Sequence, residues 1–186
     1  WLGKPSRARA DGGFSMIYRF DSEIAPVRPL RLKIEINTRE HFTVMGLQPM
    51  TMEVASPWFR GTAPVQTYQL NELMGTKLRA LFQRRKGRDL FDLWLCLSRK
   101  LIDPQRTVHC FLRYMTHESH PISRAQFEQN LHDKQTDAAF MEDIAPLLNA
   151  STKYDPFEAV QLVHDALIAR LPGDPWRGPS GSTIAR

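Results

Sequence analysis

Hydrophobic and polar positions follow two different periods along the chain, and the change comes at Leu70. Residues 30–37, LRLKIEIN, alternate strictly, so their leucine and isoleucine side chains share one face of a predicted strand. Runs rich in branched and aromatic residues predict further strands at 14–20 and 51–56, and a short strand or an approach to a helix at 65–70. SPWFRGTAP at 56–64 is predicted to be a loop. From Leu70 onward a spacing of three and four residues predicts helices at 70–84, 88–101, 105–117, 123–133, 136–149 and 156–171.

This order of elements predicts an α+β protein, in which a partial mixed or antiparallel sheet precedes a helical bundle. We assign the sheet domain to residues 1–69 and the helical domain to residues 70–172. Residues 173–186 are rich in glycine, proline and serine, and we expect a disordered tail there. Ser123 and Asp155 stand just before two predicted helices and are expected to cap their N-termini.

Composition narrows the possible partners. The sequence contains no apolar run of the roughly 18 residues that a membrane-spanning helix needs, so we expect a cytoplasmic protein without membrane contact. The net charge is +5, and residues 61–100 concentrate it, with eight basic and three acidic side chains. Residues 101–186 carry eight basic and eleven acidic side chains. A positive middle segment indicates a polyanionic partner, such as a nucleic acid or a nucleoside triphosphate.

Lys77 stands out in the first predicted helix. At 100° per residue it falls inside the apolar stripe of that helix, among Leu70, Leu73, Met74 and Leu81. Desolvating an unpaired ammonium group is costly. Lys77 must therefore extend to solvent, pair with a carboxylate or bind an anion, and the sequence leaves these three alternatives open.

A basic turn, residues 84–88, joins the first two predicted helices. Arg84, Arg85 and Lys86 complement the C-terminal end of the first helix dipole, and Gly87 is predicted to end that helix in a left-handed conformation. Arg88 opens the next predicted helix, where its charge does not suit the dipole. Asp89 and Asp92 follow three residues apart and are predicted to lie opposite the packing face of the second helix. They could hold the arginines in place, bind a nucleotide or orient Lys77.

Glu35 lies in the middle of the alternating strand, between Lys33 and Asn37. A rigidly placed carboxylate flanked by branched apolar residues suits Mg²⁺ in metal-dependent phosphoryl transfer. The alternative is a solvent-facing glutamate that pairs with a cation on the neighbouring strand, such as Arg19.

Three segments together resemble the AbiEii/AbiGii toxin family of nucleotidyltransferases. They are LRLKIEINTREHF at 30–42, SPWF at 56–59 and YQLNELMGTKLRALFQRRKGRDLFDLW at 68–94, within a dense likeness over residues 14–97. The resemblance implies an enzyme of the DNA polymerase β type, which transfers a nucleotide from an NTP to an RNA acceptor such as a tRNA. It also implies a toxin–antitoxin or abortive-infection system directed at phage defence, and a cognate antitoxin as a possible partner.

The resemblance also assigns roles to residues. Glu35 would be one of three carboxylates that hold Mg²⁺, Lys77 would contact the triphosphate, and Asp89 would be the later acidic residue of the motif, with Asp92 close by. The nucleotide or phosphate contacts would come from the same region of the chain: Lys77, Arg84, Lys86, Arg88 and Asp92.

One family motif is missing from its expected place. The family has a Gly-Ser or Gly-Gly turn followed by D-x-D, whereas here Gly12 and Gly13 stand too close to Asp21 and Glu23. The sequence also starts at Trp1 rather than at methionine. We therefore expect a truncated form that is inactive on its own.

Two other functions fit the same residues. A metal-dependent nuclease would use Glu35 and Lys33 with a further acid that the sequence does not identify. A non-catalytic module would bind RNA, DNA or an acidic protein through the basic turn 84–88, with Glu35 in a structural role.

Overall fold

The structure is a computed structural model that describes residues 5–10, 12–38 and 41–178. Two compact units divide the chain, Trp1–Phe42 and Thr43–Arg186. The combination of small antiparallel sheets with helices confirms the predicted α+β class. The compact units divide after Phe42, and the domain boundary predicted from the sequence lies after residue 69.

The first unit is a three-stranded antiparallel sheet in the order β1-β2-β3. Its strands are β1 (Ser6–Ala10), β2 (Gly13–Asp21) and β3 (Pro29–Asn37). Phe14 pairs with Ile36 and Tyr18 with Leu32, so one face of the sheet is apolar. Glu35 pairs with Ser15 and therefore lies on the opposite face. Strand β1 was not predicted, because SRARA lacks the branched and aromatic residues that indicate a strand.

The second unit begins with a β-hairpin made of β4 (Leu47–Ala55) and β5 (Arg60–Tyr68). A tight turn joins the strands, in which the Ser56 amide donates to the Phe59 carbonyl at 2.8 Å. The predicted loop 56–64 is therefore wrong for residues 60–64. Pro64 pairs with Thr51 on the opposite strand. Pro49 pairs with Gln66, and this pair lies two positions away from the first along the hairpin. Proline is tolerated in a strand where its nitrogen faces away from the partner strand. Because the two pairs lie two positions apart, both prolines occupy such positions.

Six helices follow the hairpin in the described part of the chain. They are α1 (Leu70–Gln83), α2 (Gly87–Ser98), α3 (Pro104–His117), α4 (Arg124–Gln135), α5 (Ala138–Met141) and α6 (Pro156–Ala166). The prediction of one helix over 136–149 is wrong: α5 ends at Met141 and a 3-10 turn, Ala145–Leu147, contains Pro146. The last predicted helix stops at Ala166, before a second 3-10 turn. None of the described helices combines the length and apolar character needed to cross a membrane.

The hydrophobic core of the second unit lies among its helices. Its fully buried members include Leu78, Leu81, Leu93, Phe111, Phe127 and Val163. Gly75 lets α1 approach α3 closely, since a Cβ there would lie 2.8 Å from the Cβ of Cys110. Both predicted N-caps are confirmed: Ser123 completes a capping box with Gln126, and Asp155 accepts from the amides of α6. These caps define where α4 and α6 begin.

Trp176 packs against α4, within the segment from residue 173 where the sequence predicts disorder. The Trp176 amide donates to Glu128 at 2.6 Å, and the Trp176 ring lies 4.9 Å from the His132 ring between centroids. Glu128 also accepts from Arg124 at 2.7 Å and contacts His164 Nε2 at 2.9 Å. The remainder of the predicted tail, residues 179–186, lies outside the described residues.

Candidate functional site

The candidate site is the charged cluster where α1 ends and α2 begins. Lys77 lies on α1, and Asp89 and Asp92 lie on α2. Arg84 caps α1 in an extended conformation with φ −132° and ψ 163°, so the basic turn crosses directly from one helix to the next. The structure therefore brings together the predicted site residues of the second unit.

Gly87 has a different role from the predicted one. It is the first residue of α2 rather than a left-handed residue ending α1, and its φ is not positive. A Cβ at this position would lie 2.1 Å from the carbonyl oxygen of Phe140 and 3.3 Å from the Cβ of Asp143. Glycine is required because the start of α2 lies directly against the backbone of α5.

Asp89 is fully buried, with no exposed area, so its predicted place on the polar face of α2 is wrong. Arg84 explains the burial, because its guanidinium binds both carboxylate oxygens. Nε lies 2.7 Å from Oδ2 and Nη2 lies 2.8 Å from Oδ1. Bidentate pairing satisfies a carboxylate that would otherwise be very costly to desolvate. The hydrogen bond to Asp89 raises the pKa of Arg84 despite its partial burial.

Lys77 pairs with carboxylates, which is one of the three alternatives that the sequence left open. Its Nζ lies 2.7 Å from Asp92 Oδ2 and 3.5 Å from Asp89 Oδ1. The side chains of Lys77 and Asp92 remain 29% and 36% exposed. The cluster thus has one buried carboxylate, Asp89, which is held by the half-exposed Arg84, and a partly exposed pair, Lys77–Asp92.

Two further carboxylates flank α5: Asp137 caps its N-terminus, and Asp143 follows its C-terminus. Asp143 accepts from the Arg88 amide at 3.2 Å, and its oxygens lie 4.0 Å from Lys86 Nζ and from Arg88 Nε. Asp137 lies 3.4 Å from Arg85. Sequence reasoning missed both aspartates, because they are more than 50 positions from their partners and no local pattern links them.

The distances divide the cations of the cluster into two sets. Lys77 and Arg84 each make an ionic contact of 2.7 Å. Arg85, Lys86 and Arg88 contact carboxylates at 3.4–4.0 Å, and their side chains are 60%, 48% and 48% exposed. These three long, loosely paired side chains can reorient toward a phosphate at little cost.

Lys134 stabilises the C-terminal end of α1, next to the cluster, through hydrogen bonds to backbone carbonyls. This side chain is buried, and its Nζ donates to the carbonyls of Leu81 and Phe82, the latter at 2.8 Å. Burial lowers the pKa of Lys134 to about 8, and the charge of Arg85 adds to that effect. The lysine occupies carbonyls that helix geometry leaves without partners, so it stabilises the point from which the basic turn leaves.

Glu35 belongs to the first compact unit, unlike the other predicted site residues. Its side chain is 68% exposed and pairs with Lys33 on the same strand at 2.7 Å. The predicted alternative partner, Arg19, instead lies 3.5 Å from the hydroxyl of Ser6. Within the described residues, no group of three or more histidine, cysteine or acidic side chains could hold a metal ion. One exposed carboxylate that already contacts a lysine does not fit a complete Mg²⁺ site.

Comparison with known proteins identifies the family. The family model described as nucleotidyl transferase AbiEii toxin, type IV TA system, matches residues 3–163. The chain belongs to the AbiEii family. The matched range contains Glu35 and the entire charged cluster, and it confirms the resemblance noted in the sequence. Searches of curated proteins and of solved structures found no match.

Membership in the AbiEii family makes the chain a nucleotidyltransferase toxin of a type IV toxin–antitoxin system. The individual roles of Glu35, Lys77 and Asp89 stay predictions. The burial of Asp89 changes what can be expected of it: a carboxylate whose two oxygens bind Arg84 is placed to orient cations. The same geometry makes Asp89 a poor candidate for direct contact with a substrate.

Proposed function

We propose that this toxin transfers a nucleotide from an NTP to an RNA acceptor, with tRNA as the first candidate. The observation that carries the proposal is the arrangement of cations at the α1–α2 junction. Lys77 and Arg84, each with an ionic contact of 2.7 Å, lie next to the more loosely paired Arg85, Lys86 and Arg88. All of them are inside the range matched by a nucleotidyltransferase family. A triphosphate and a polynucleotide both need such phosphate-binding groups.

Lys77 is the proposed triphosphate contact. Its side chain is partly exposed, so the ammonium group can reach a ligand. Asp89 and Arg84 are positioning residues in this proposal. Their bidentate pair fixes the start of α2 relative to the end of α1, and Lys77 lies between the two helices.

Arg85, Lys86 and Arg88 are the proposed contacts to the RNA backbone. Each side chain is about half exposed, and its cationic group makes no contact shorter than 3.4 Å to Asp137 or Asp143. Phosphate contacts of this kind position a nucleic acid without reading its sequence, and they weaken as salt concentration rises.

Mg²⁺ remains part of the proposal as the metal expected for nucleotidyl transfer. Glu35 is the single candidate ligand that sequence reasoning identified. Because the described residues do not make a complete site around it, no step of the reaction is assigned to the metal. A cognate antitoxin is likewise proposed on the basis of the family description.

One observation favours a second candidate function, a non-catalytic binding module. Every cation of the cluster already has a carboxylate within 4.0 Å, so the cluster can be stable without a nucleotide. In that case Arg85, Lys86 and Arg88 would bind phosphates, and Lys77 would only stabilise the helix junction.

Incubation of the natural full-length protein with each labelled NTP, Mg²⁺ and total tRNA tests the proposal. We expect label on RNA from the wild type and a loss of at least about tenfold from Lys77→Ala, equivalent to about 1.4 kcal/mol of transition-state stabilisation. Arg113→Ala is the matched control, since Arg113 is an exposed cation on α3 outside the cluster. Salt-dependent RNA binding with no transfer, unchanged by Lys77→Ala, would support the binding module instead.

A further inference from the structure

In the partly exposed pair of the cluster, Asp92 already contacts the ammonium group of Lys77 that an incoming anion would bind. Asp92 Oδ2 lies 2.7 Å from Lys77 Nζ, the shortest distance that this lysine makes to a carboxylate in the described residues. Both side chains are about one-third exposed. A phosphate group that binds Lys77 therefore competes with Asp92 for the ammonium group.

The two carboxylates near Lys77 differ in their freedom to move. Asp89 is buried and held by both arms of Arg84, so displacing it would leave a desolvated charge without a partner. Asp92 is partly exposed, and Lys77 is the cation with which the structure pairs it. Its side chain can turn into solvent, where water replaces the lysine at a small cost.

We propose that Asp92 is a competing anion, which holds Lys77 in the nucleotide-free protein and is displaced when a triphosphate binds. This inference rests on the proposed function, because it assigns Lys77 to the triphosphate. It gives Asp92 a regulatory role, distinct from the direct phosphate or nucleotide contact that the sequence suggested. Asp92 lowers the affinity of the site for polyphosphates and leaves Lys77 ordered when the site is empty.

A binding experiment on the full chain tests this role, with inorganic tripolyphosphate and ATP as probes in isothermal titration calorimetry. Asp92→Asn is expected to tighten tripolyphosphate binding about three- to tenfold, the effect of removing a partly exposed competing pair. Glu142→Gln is the matched control, because it removes one exposed carboxylate beside Asp143 without a contact to Lys77. We expect its affinity to change less than about twofold.

A double-mutant cycle separates competition at Lys77 from a general change of charge. In a Lys77→Met background, Asp92→Asn should give no gain in affinity beyond that of Glu142→Gln. Asp92→Glu, which keeps the charge, should bind no more tightly than the wild type. Thermal unfolding of each variant checks the fold, and Asp92→Ser replaces Asp92→Asn if the latter is not folded.

The outcomes distinguish the inference from the function on which it rests. Equal gains from Asp92→Asn and Glu142→Gln, or weaker binding by Asp92→Asn, would overturn the role of Asp92 as a competitor. If Lys77→Met binds tripolyphosphate as tightly as the wild type, the proposed triphosphate site itself is wrong. A loss of binding in Lys77→Met together with no gain in Asp92→Asn would remove the competitor and leave the triphosphate site supported.

Discussion

Replacing Gly87 with alanine tests the packing that places the charged cluster. The added Cβ would lie 2.1 Å from the Phe140 carbonyl oxygen, whereas non-bonded heavy atoms are most stable at about 3.5–4.0 Å. The backbones of α2 and α5 must therefore separate by more than about 1 Å, because neither contacting group is a flexible side-chain end. We expect the substitution to lower the free energy of unfolding by about 1–3 kcal/mol, the usual range for overpacking.

Differential scanning calorimetry measures this effect as a shift of the melting temperature. A loss of 1–3 kcal/mol corresponds to a decrease of about 3–10 °C for a chain of this size. Amide hydrogen exchange should localise the change to the first turn of α2, where the Arg88 amide donates to Asp143. Exchange in the β4–β5 hairpin should not change.

Gly61→Ala is the matched control. Its Cβ would also make a short contact, 2.8 Å, but with the ring end of Phe59, which is 62% exposed and can turn away. We expect a change of less than about 0.5 kcal/mol. A Gly87→Ala protein that melts at the wild-type temperature, with unchanged exchange in α2, would refute the close approach of α2 to α5.

Two further substitutions test the buried charges. Arg84→Met leaves the buried Asp89 with Lys77 at 3.5 Å, so we expect the free energy of unfolding in urea to fall by about 2–4 kcal/mol. Arg85→Met, which removes the exposed Arg85–Asp137 pair, should lower it by less than about 1 kcal/mol. Equal losses would contradict the assignment of Asp89 as a buried anion held by Arg84. The lowered pKa of Lys134, about 8 against 10.5 for the ordinary side chain, means that the unfolded chain binds more protons between these pH values. From pH 8 to pH 10.5, the free energy of unfolding of the wild type should therefore rise by roughly 1–3 kcal/mol relative to that of Lys134→Met. If the urea midpoints of the two proteins change in parallel with pH, Lys134 is not desolvated.

Periodicity was enough to predict most of the regular structure. Strand β3 and helices α1, α3 and α4 lie within a few residues of their predicted bounds, because alternation and 3.6-residue spacing are local properties of the sequence. Local patterns did not predict elements that depend on contacts between distant residues or on an interruption of the helix. Strand β1 is formed by pairing with β2, and helix 136–149 is interrupted around Pro146.

The candidate site was predictable to a similar extent. The position of Lys77 on an apolar stripe indicated that it needs a partner, and the structure supplies Asp89 and Asp92. The burial of Asp89 was not predictable, because it depends on the conformation of Arg84 after α1 ends. Asp143 could not be linked to the basic turn either, since the two meet only in the folded chain.

The two prolines of the β4–β5 hairpin also bear on how the protein behaves at high concentration. A two-stranded ribbon has two open edges, and an unpaired edge with exposed apolar neighbours such as Met50 and Met52 is a template for adding strands from other molecules. Pro49 and Pro64 lie in the same phase of the register, one on each strand, so each removes an outward amide donor from one edge. The hairpin can thus expose methionines without offering an uninterrupted edge for intermolecular β-sheet growth.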